Sequence, residues 1–120
     1  MRIHHLAFRT LDLPRLEHFY ATVLGLPCVR RSGARSVWLD AGGTLLMLEA
    51  SSPEEPSIAR STLELVCFEL NAETAASWLA RLERASIPIE ARTECTVYFR
   101  DPDGRRVGLS SYPTLLLAIV

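Results

Sequence analysis

Val97-Tyr98-Phe99-Arg100-Asp101-Pro102-Asp103-Gly104-Arg105-Arg106-Val107-Gly108-Leu109 is the stretch on which the fold turns. Two β-prone runs flank Asp-Pro-Asp-Gly. Its proline presets φ near the start of a turn, and its glycine tolerates a left-handed backbone at the end. The stretch reads as a strand over residues 96–100, a turn over 101–104 and a strand over 105–111. The same arrangement stands sixty residues earlier, where residues 37–41 and 44–49 read as strands around Gly42-Gly43.

Working outward, each hairpin is preceded by the same order of signals. In the first half, residues 3–9 alternate as a strand. Asp12 offers a helix cap, Pro14 sits in the first turn, and Leu13, Leu16, Tyr20, Val23 and Leu24 form a helical stripe that Gly25 ends. A short strand over 28–31 and a turn over 32–35 follow. In the second half, residues 63–70 read as a strand. Asn71 caps a helix with the stripe Ala75, Trp78, Leu79 and Leu82, and residues 87–90 read as a short strand. A shift of 60 lays His5-Leu6-Ala7-Phe8 on Leu65-Val66-Cys67-Phe68, and Val37-Trp38-Leu39 on Val97-Tyr98-Phe99. After a one-residue slip, residues 43–48 fall on 104–109. The chain is therefore α+β, a βαβββ module written twice. Module 1 covers residues 1–50, a polar linker 51–61, module 2 residues 62–112, and an apolar tail 113–120.

Composition narrows the function. The chain has 120 residues, the length of one ordinary domain, with a net charge of −1. All thirteen basic residues are arginine, so no lysine can form a Schiff base. Without a basic surplus, nucleic acid is not an expected partner. The longest apolar run, residues 115–120, is far too short to span a membrane, and the N-terminal stretch lacks the apolar core of a signal peptide. Three cysteines, Cys28, Cys67 and Cys95, make no C-x-x-C pair. They read as reduced thiols of a cytoplasmic protein. No nucleophile-elbow, zinc-protease, phosphate-loop or dinucleotide-binding pattern is present.

Period-two alternation assigns one face of each sheet. In module 1 it collects His5, Ala7, Trp38, Leu45, Met47 and Glu49. In module 2 it collects Leu65, Cys67, Tyr98, Arg106, Gly108 and Ser110. Trp38 and Tyr98 take matched positions and suit a ligand-lining role. The plainer expectations are that His5 is a hydrogen-bonded core residue, that Cys67 is small and buried, that His4 and His18 lie on the surface, and that Arg100, Arg105 and Arg106 form a solvated patch.

Three stretches, IHHLAFRTLDLPRLEHFYATVLGLP, WLDAGGTLLMLE and VYFRDPDGRRVGL, resemble the vicinal oxygen chelate superfamily. That group includes glyoxalase I, fosfomycin-resistance enzymes, extradiol dioxygenases and bleomycin-resistance proteins. The resemblance implies two βαβββ modules, each curling a sheet into a half barrel, and a homodimer whose sheets form clefts. It also implies a divalent metal held by His and Glu residues in catalytic members, acting as a Lewis acid on the substrate. Carried over residue by residue, the ligand positions here are His5, Met47, Leu65 and Gly108. Only His5 can bind a borderline or hard divalent ion. Glu49 shares Met47's face and is the nearest alternative donor.

The resemblance therefore implies two readings. The first is a metal-free protein, with no cofactor, binding a small organic molecule in a dimer cleft lined by His5, Trp38, Met47, Glu49, Leu65, Cys67, Tyr98 and Gly108, as in the bleomycin-resistance branch. The second is a metal-dependent lyase, isomerase, transferase or dioxygenase that relies on His5. A non-metal enzyme using His5, Tyr98 or Glu49 for proton transfer is a further possibility.

Overall fold

A computed structural model describes residues 1–116. It divides into two compact units, Met1–Ser57 and Ile58–Val120. In unit 1 the elements run β1 (His5–Thr10), α1 (Leu13–Glu17), β2 (Cys28–Ser32), β3 (Ser36–Asp40) and β4 (Leu45–Ala50). The sheet order is β1-β4-β3-β2. β1 runs parallel to β4, and β3 runs antiparallel to both of its neighbours. A parallel pair needs a long crossover, and the helix with β2 and β3 supplies it. Asp12 Oδ1 accepts from the Arg15 N–H at 3.1 Å and fastens the start of α1. Gly25, at φ +76°, ends the helical segment.

The helix departs from a uniform α-helix. From His18 to Val23 it widens into a π-helix, with the Leu24 N–H donating to the Phe19 carbonyl at 2.9 Å. Adjacent Phe19 and Tyr20 are both buried there, ring to ring at 4.8 Å and near-perpendicular. With Leu13, Leu16, Val23 and Leu24 they form the helical side of a core completed by Val37, Leu39, Leu46 and Leu48 of the sheet. Each fully buried leucine there is worth about 2 kcal/mol of transfer free energy.

Unit 2 repeats the plan with β5 (Leu65–Glu69), α2 (Ala75–Arg84), β6 (Ala91–Arg92), β7 (Thr96–Arg100) and β8 (Arg106–Ser110), in sheet order β5-β8-β7-β6. Asn71 Oδ1 accepts from the Glu73 N–H at 2.9 Å, and a 3-10 turn, Ala72–Thr74, leads into α2. Leu70, Ala75, Leu82, Val97, Phe99, Val107 and Leu109 make the core. The α+β reading and the duplicated module are borne out as two four-stranded mixed sheets, neither closed into a barrel.

One expectation needs correction. The strand expected over 87–90 does not form, and only the two-residue β6 follows it. The Ile87 N–H is used to close α2 on the Leu82 carbonyl at 2.9 Å, and Pro88 has no N–H to give. Ladder bonding to β7 begins with the Glu90 N–H to the Tyr98 carbonyl at 2.7 Å. The polar linker 51–61 makes contacts near both of its ends. Ser51 donates to the Thr10 carbonyl at 2.8 Å in unit 1, and Arg60 packs over Gly104 in unit 2. In the apolar tail, Leu116 is buried in unit 2, its N–H bonded to the Glu94 carbonyl at 2.8 Å, while Leu115 is exposed. Residues 117–120 of that tail lie outside the described residues. Among the described residues no helix is long and apolar enough to cross a membrane.

Candidate functional site

Residues directly opposite each other on paired strands point to the same side of a sheet. In unit 1, Ala7, Met47, Trp38 and Arg30 form one row across the sheet. His5, Leu45 and Asp40 form a second, and Arg9, Glu49 and Ser36 a third. The intervening residues, Leu46, Leu48, Val37 and Leu39, are buried on the helix-covered side. The open face thus carries the six residues that alternation assigned to it. His5 is exposed rather than a core residue. The position sits at the start of an edge strand, on the face away from the helix. Its ring meets that of Trp38 at 5.0 Å and 61°, and its Nδ1 lies 2.9 Å from His4 Nδ1. His4 and His18 are exposed, as expected.

Glu49 is committed elsewhere. It pairs with the Arg9 guanidinium, directly opposite it in register, and Arg9 also donates to both carboxylate oxygens of Glu55, at 2.9 and 2.6 Å. Hydrogen bonds from Arg9, and then from the Ser52 N–H, pull the Glu55 carboxyl down from 4.5 to about 2. The Arg9 pKa is pushed further up by the same two carboxylates, Glu55 first. A proton-transfer or metal-binding role for Glu49 would have to break this network first.

In unit 2 the corresponding rows are Cys67, Gly108, Tyr98 and Ala91; Leu65, Arg106 and Arg100; and Glu69, Ser110 and Thr96. The Arg106 guanidinium lies 4.2 Å from the Tyr98 ring centroid, so one face of the tyrosine is already covered by a cation. Glu90 accepts from Arg100 Nε at 2.9 Å and from Arg106 Nε at 3.1 Å. Arg100, then Arg106, holds its carboxyl below the usual range. Arg100 Nη1 also donates to the Thr62 and Gly104 carbonyls at 2.7 and 3.2 Å. Arg105 is buried, not part of a solvated patch. It pairs with Asp101 at 3.1 Å and Asp103 at 3.3 Å, because Asp101 is itself buried at the turn. Cys67 is exposed rather than buried, because it stands on the open face of an edge strand. Its neighbours still desolvate the thiol enough to push its pKa up, which argues against a reactive thiolate.

Alternation could have found Arg9, two positions beyond Ala7 on the same strand. Nothing local marks Glu55 or Glu90, which reach their arginines from irregular segments.

A divalent metal at the ligand positions that the resemblance implies would need donors from His5, Met47, Leu65 and Gly108. His5 offers one imidazole, Met47 a soft thioether, and Leu65 no donor. At Gly108 even a Cβ would come within 2.9 Å of Cys67 Sγ and 3.4 Å of Leu65 Cδ1, so neighbouring side chains fill the space a ligand would use. Among the described residues, no three His, Cys, Asp or Glu side chains converge. This donor set does not fit such an ion.

The sequence matches the Glyoxalase/Bleomycin resistance protein/Dioxygenase superfamily over residues 2–109. Among solved structures, a lactoylglutathione lyase from Agrobacterium tumefaciens is 25% identical, with a TM-score of 0.71 over 91% of this chain and 92% of that one. A genomically encoded fosfomycin resistance protein from Listeria monocytogenes is 15% identical, with a TM-score of 0.76 over 92% of this chain and 90% of that one. A point variant of the Listeria protein, solved with Mn(II) and 1S,2S-dihydroxypropylphosphonic acid, is 17% identical, with a TM-score of 0.75 over 98% of this chain and 94% of that one. With the duplicated βαβββ plan, the match over residues 2–109 makes this chain a member of the Glyoxalase/Bleomycin resistance protein/Dioxygenase superfamily.

Proposed function

We propose that this protein binds a small organic molecule without a resident metal, on the open sheet faces, as a homodimer in which a second copy covers those faces. One observation carries the reading. The position where the family places a metal ligand in β4 is Met47, which stands beside Trp38 on a face where Trp38 and His5 meet edge to face at 5.0 Å. A patch of Ala7, Met47, Trp38 and Leu45 bordered by polar residues such as His5 and Arg30 suits a planar or amphipathic ligand. The free thiols of Cys28, Cys67 and Cys95 are in keeping with a cytoplasmic setting.

The test is a thermal-shift screen of aromatic small molecules, with hits titrated by calorimetry against the native protein and Trp38→Ala. The variant is expected to weaken binding about tenfold, the effect of losing a buried aromatic contact, at nearly unchanged melting temperature. Equal affinity in the two proteins would reject this placement.

A second reading is a glyoxalase-like, metal-dependent lyase, isomerase, transferase or dioxygenase. The likeness to the Agrobacterium lyase and the retained His5 favour it. It requires His5→Ala to abolish both metal uptake and turnover.

A further inference from the structure

We propose that the open face of unit 2 holds a small organic carboxylate with an apolar body, its head on Arg106 and Arg100 and its body over Leu65 and Cys67. Arg100 and Arg106 face each other across β7 and β8. Like charges directly opposite on neighbouring strands repel, so this pair asks for an anion. In the folded chain Glu90 supplies one, with one carboxylate oxygen on each guanidinium. A carboxylate spanning the two arginines is therefore a geometry the fold already accommodates.

Charge and donors remain in surplus. Two guanidinium groups meet one carboxylate. Arg106 uses only Nε on Glu90, and its two terminal nitrogens make no hydrogen bond among the described residues. Both arginine side chains are about four-fifths buried, at 17% and 20% exposure, so their donors are held in place and partly desolvated. Such donors grip an anion more strongly than solvated ones. Tyr98 supports the Arg106 plane from one side. Glu90, at 38% exposure, is the most exposed of the three side chains, and it extends from a segment without regular structure. It is the internal anion that a ligand would displace.

Apolar surface adjoins the charge. Leu65 lies directly opposite Arg106 in register and is 42% exposed, and Cys67 follows it on the same face. A charged head with an apolar body matches both parts. This site stands on unit 2 alone and does not depend on the Trp38 surface.

Benzoate and its neutral analogue benzamide are the probes, titrated into the full-length protein at fixed ionic strength and followed by amide chemical shifts. Benzoate should saturate with shifts centred on β5 and β8, and benzamide should bind at least about tenfold more weakly. Glu90→Gln, which removes the competing anion, should tighten benzoate several-fold. Arg106→Gln should weaken it about tenfold or more. Arg106→Lys keeps the charge and the stem, and serves if the glutamine variant does not fold; it should still weaken benzoate. Benzoate-induced shifts on β5 and β8 are fitted separately from any on β3 and β4, which separates this site from the proposed unit 1 surface. Equal binding of benzoate and benzamide, no tightening in Glu90→Gln, or shifts confined to β3 and β4 would each overturn the proposal.

Discussion

On the open face of unit 1 an aromatic residue, Trp38, stands against a histidine and a methionine. At the equivalent place in unit 2, Tyr98 lies under a guanidinium that a glutamate holds. The two sheets share topology and register, yet their open faces have diverged in chemistry. Their ion networks are opposite in excess charge. Arg9 meets Glu49 and Glu55, two acids on one base, whereas Glu90 meets Arg100 and Arg106, two bases on one acid. The helix-facing residues of the two central strands, by contrast, are apolar and buried in both units: Val37, Leu39, Leu46 and Leu48 in one, Val97, Phe99, Val107 and Leu109 in the other. The difference teaches that the repeat is held by the core, while the open faces, which the core does not constrain, are free to specialise.

The turns show the same divergence and give the largest expected effects. Asp101 is buried and accepts from the Asp103 and Arg105 N–H groups while pairing with the Arg105 side chain. In the other hairpin the turn is held by Asp40, which stands at the register position of Arg100, is half-buried and accepts from the Gly42 and Gly43 N–H groups at 2.9 and 3.2 Å. Asp101→Ala removes the closer carboxylate of buried Arg105 and the acceptor of two turn N–H groups, and should cost about 3 kcal/mol in urea unfolding. Asp40→Ala should cost about 1 kcal/mol. Equal losses would break the comparison.

Next come the turn glycines. Gly104, at φ +96°, would place a Cβ 2.7 Å from Arg60 Cγ. Gly42, at φ +80°, has nothing within 4 Å. Gly104→Ala should therefore destabilise by about 2 kcal/mol, combining strain and contact, and Gly42→Ala by about 1 kcal/mol from strain alone. Chemical denaturation of the pair measures the difference.

The smallest effect separates the ion networks. The Glu55 carboxyl lies at about 2 in the folded chain, against 4.5 for its ordinary value. A lowered folded pKa means the stabilisation is fully present above pH 4.5 and fades as pH falls from 4.5 towards 2. Glu55→Gln should flatten the acid limb of unfolding in that window and lower stability near neutral pH by the same amount, a small one because the pair is solvent-exposed. A carboxyl resonance of Glu55 titrating near 4.5 would contradict the strap on Arg9.

Much of this arrangement was legible in the sequence, because its causes are local. Asp12 and Asn71 announce their helices by capping chemistry, the Asp101-Pro102-Asp103-Gly104 turn announces its hairpin, and alternation places His5, Trp38 and Met47 on one face. What escaped has distant causes. The π-helical turn follows from packing Phe19 and Tyr20 together, and burial of Arg105 from Asp101's own burial. The fixing of Glu49 needs Glu55, 46 residues from Arg9 along the chain. The missing strand over 87–90 was partly readable, since Pro88 lacks a donor, but the use of the Ile87 N–H by α2 was not. Alternation likewise brings the ligand-lining candidates to open faces, without saying what binds there.

In the proposed function, His5, Met47, Leu65 and Gly108 make no metal site. Its most direct test is the metal content of purified protein after incubation with Ni, Zn, Mn and Co and thorough desalting. The account predicts retained metal far below one equivalent per chain, unchanged in His5→Ala. One equivalent of metal that disappears in His5→Ala would contradict it and restore the metal-dependent reading.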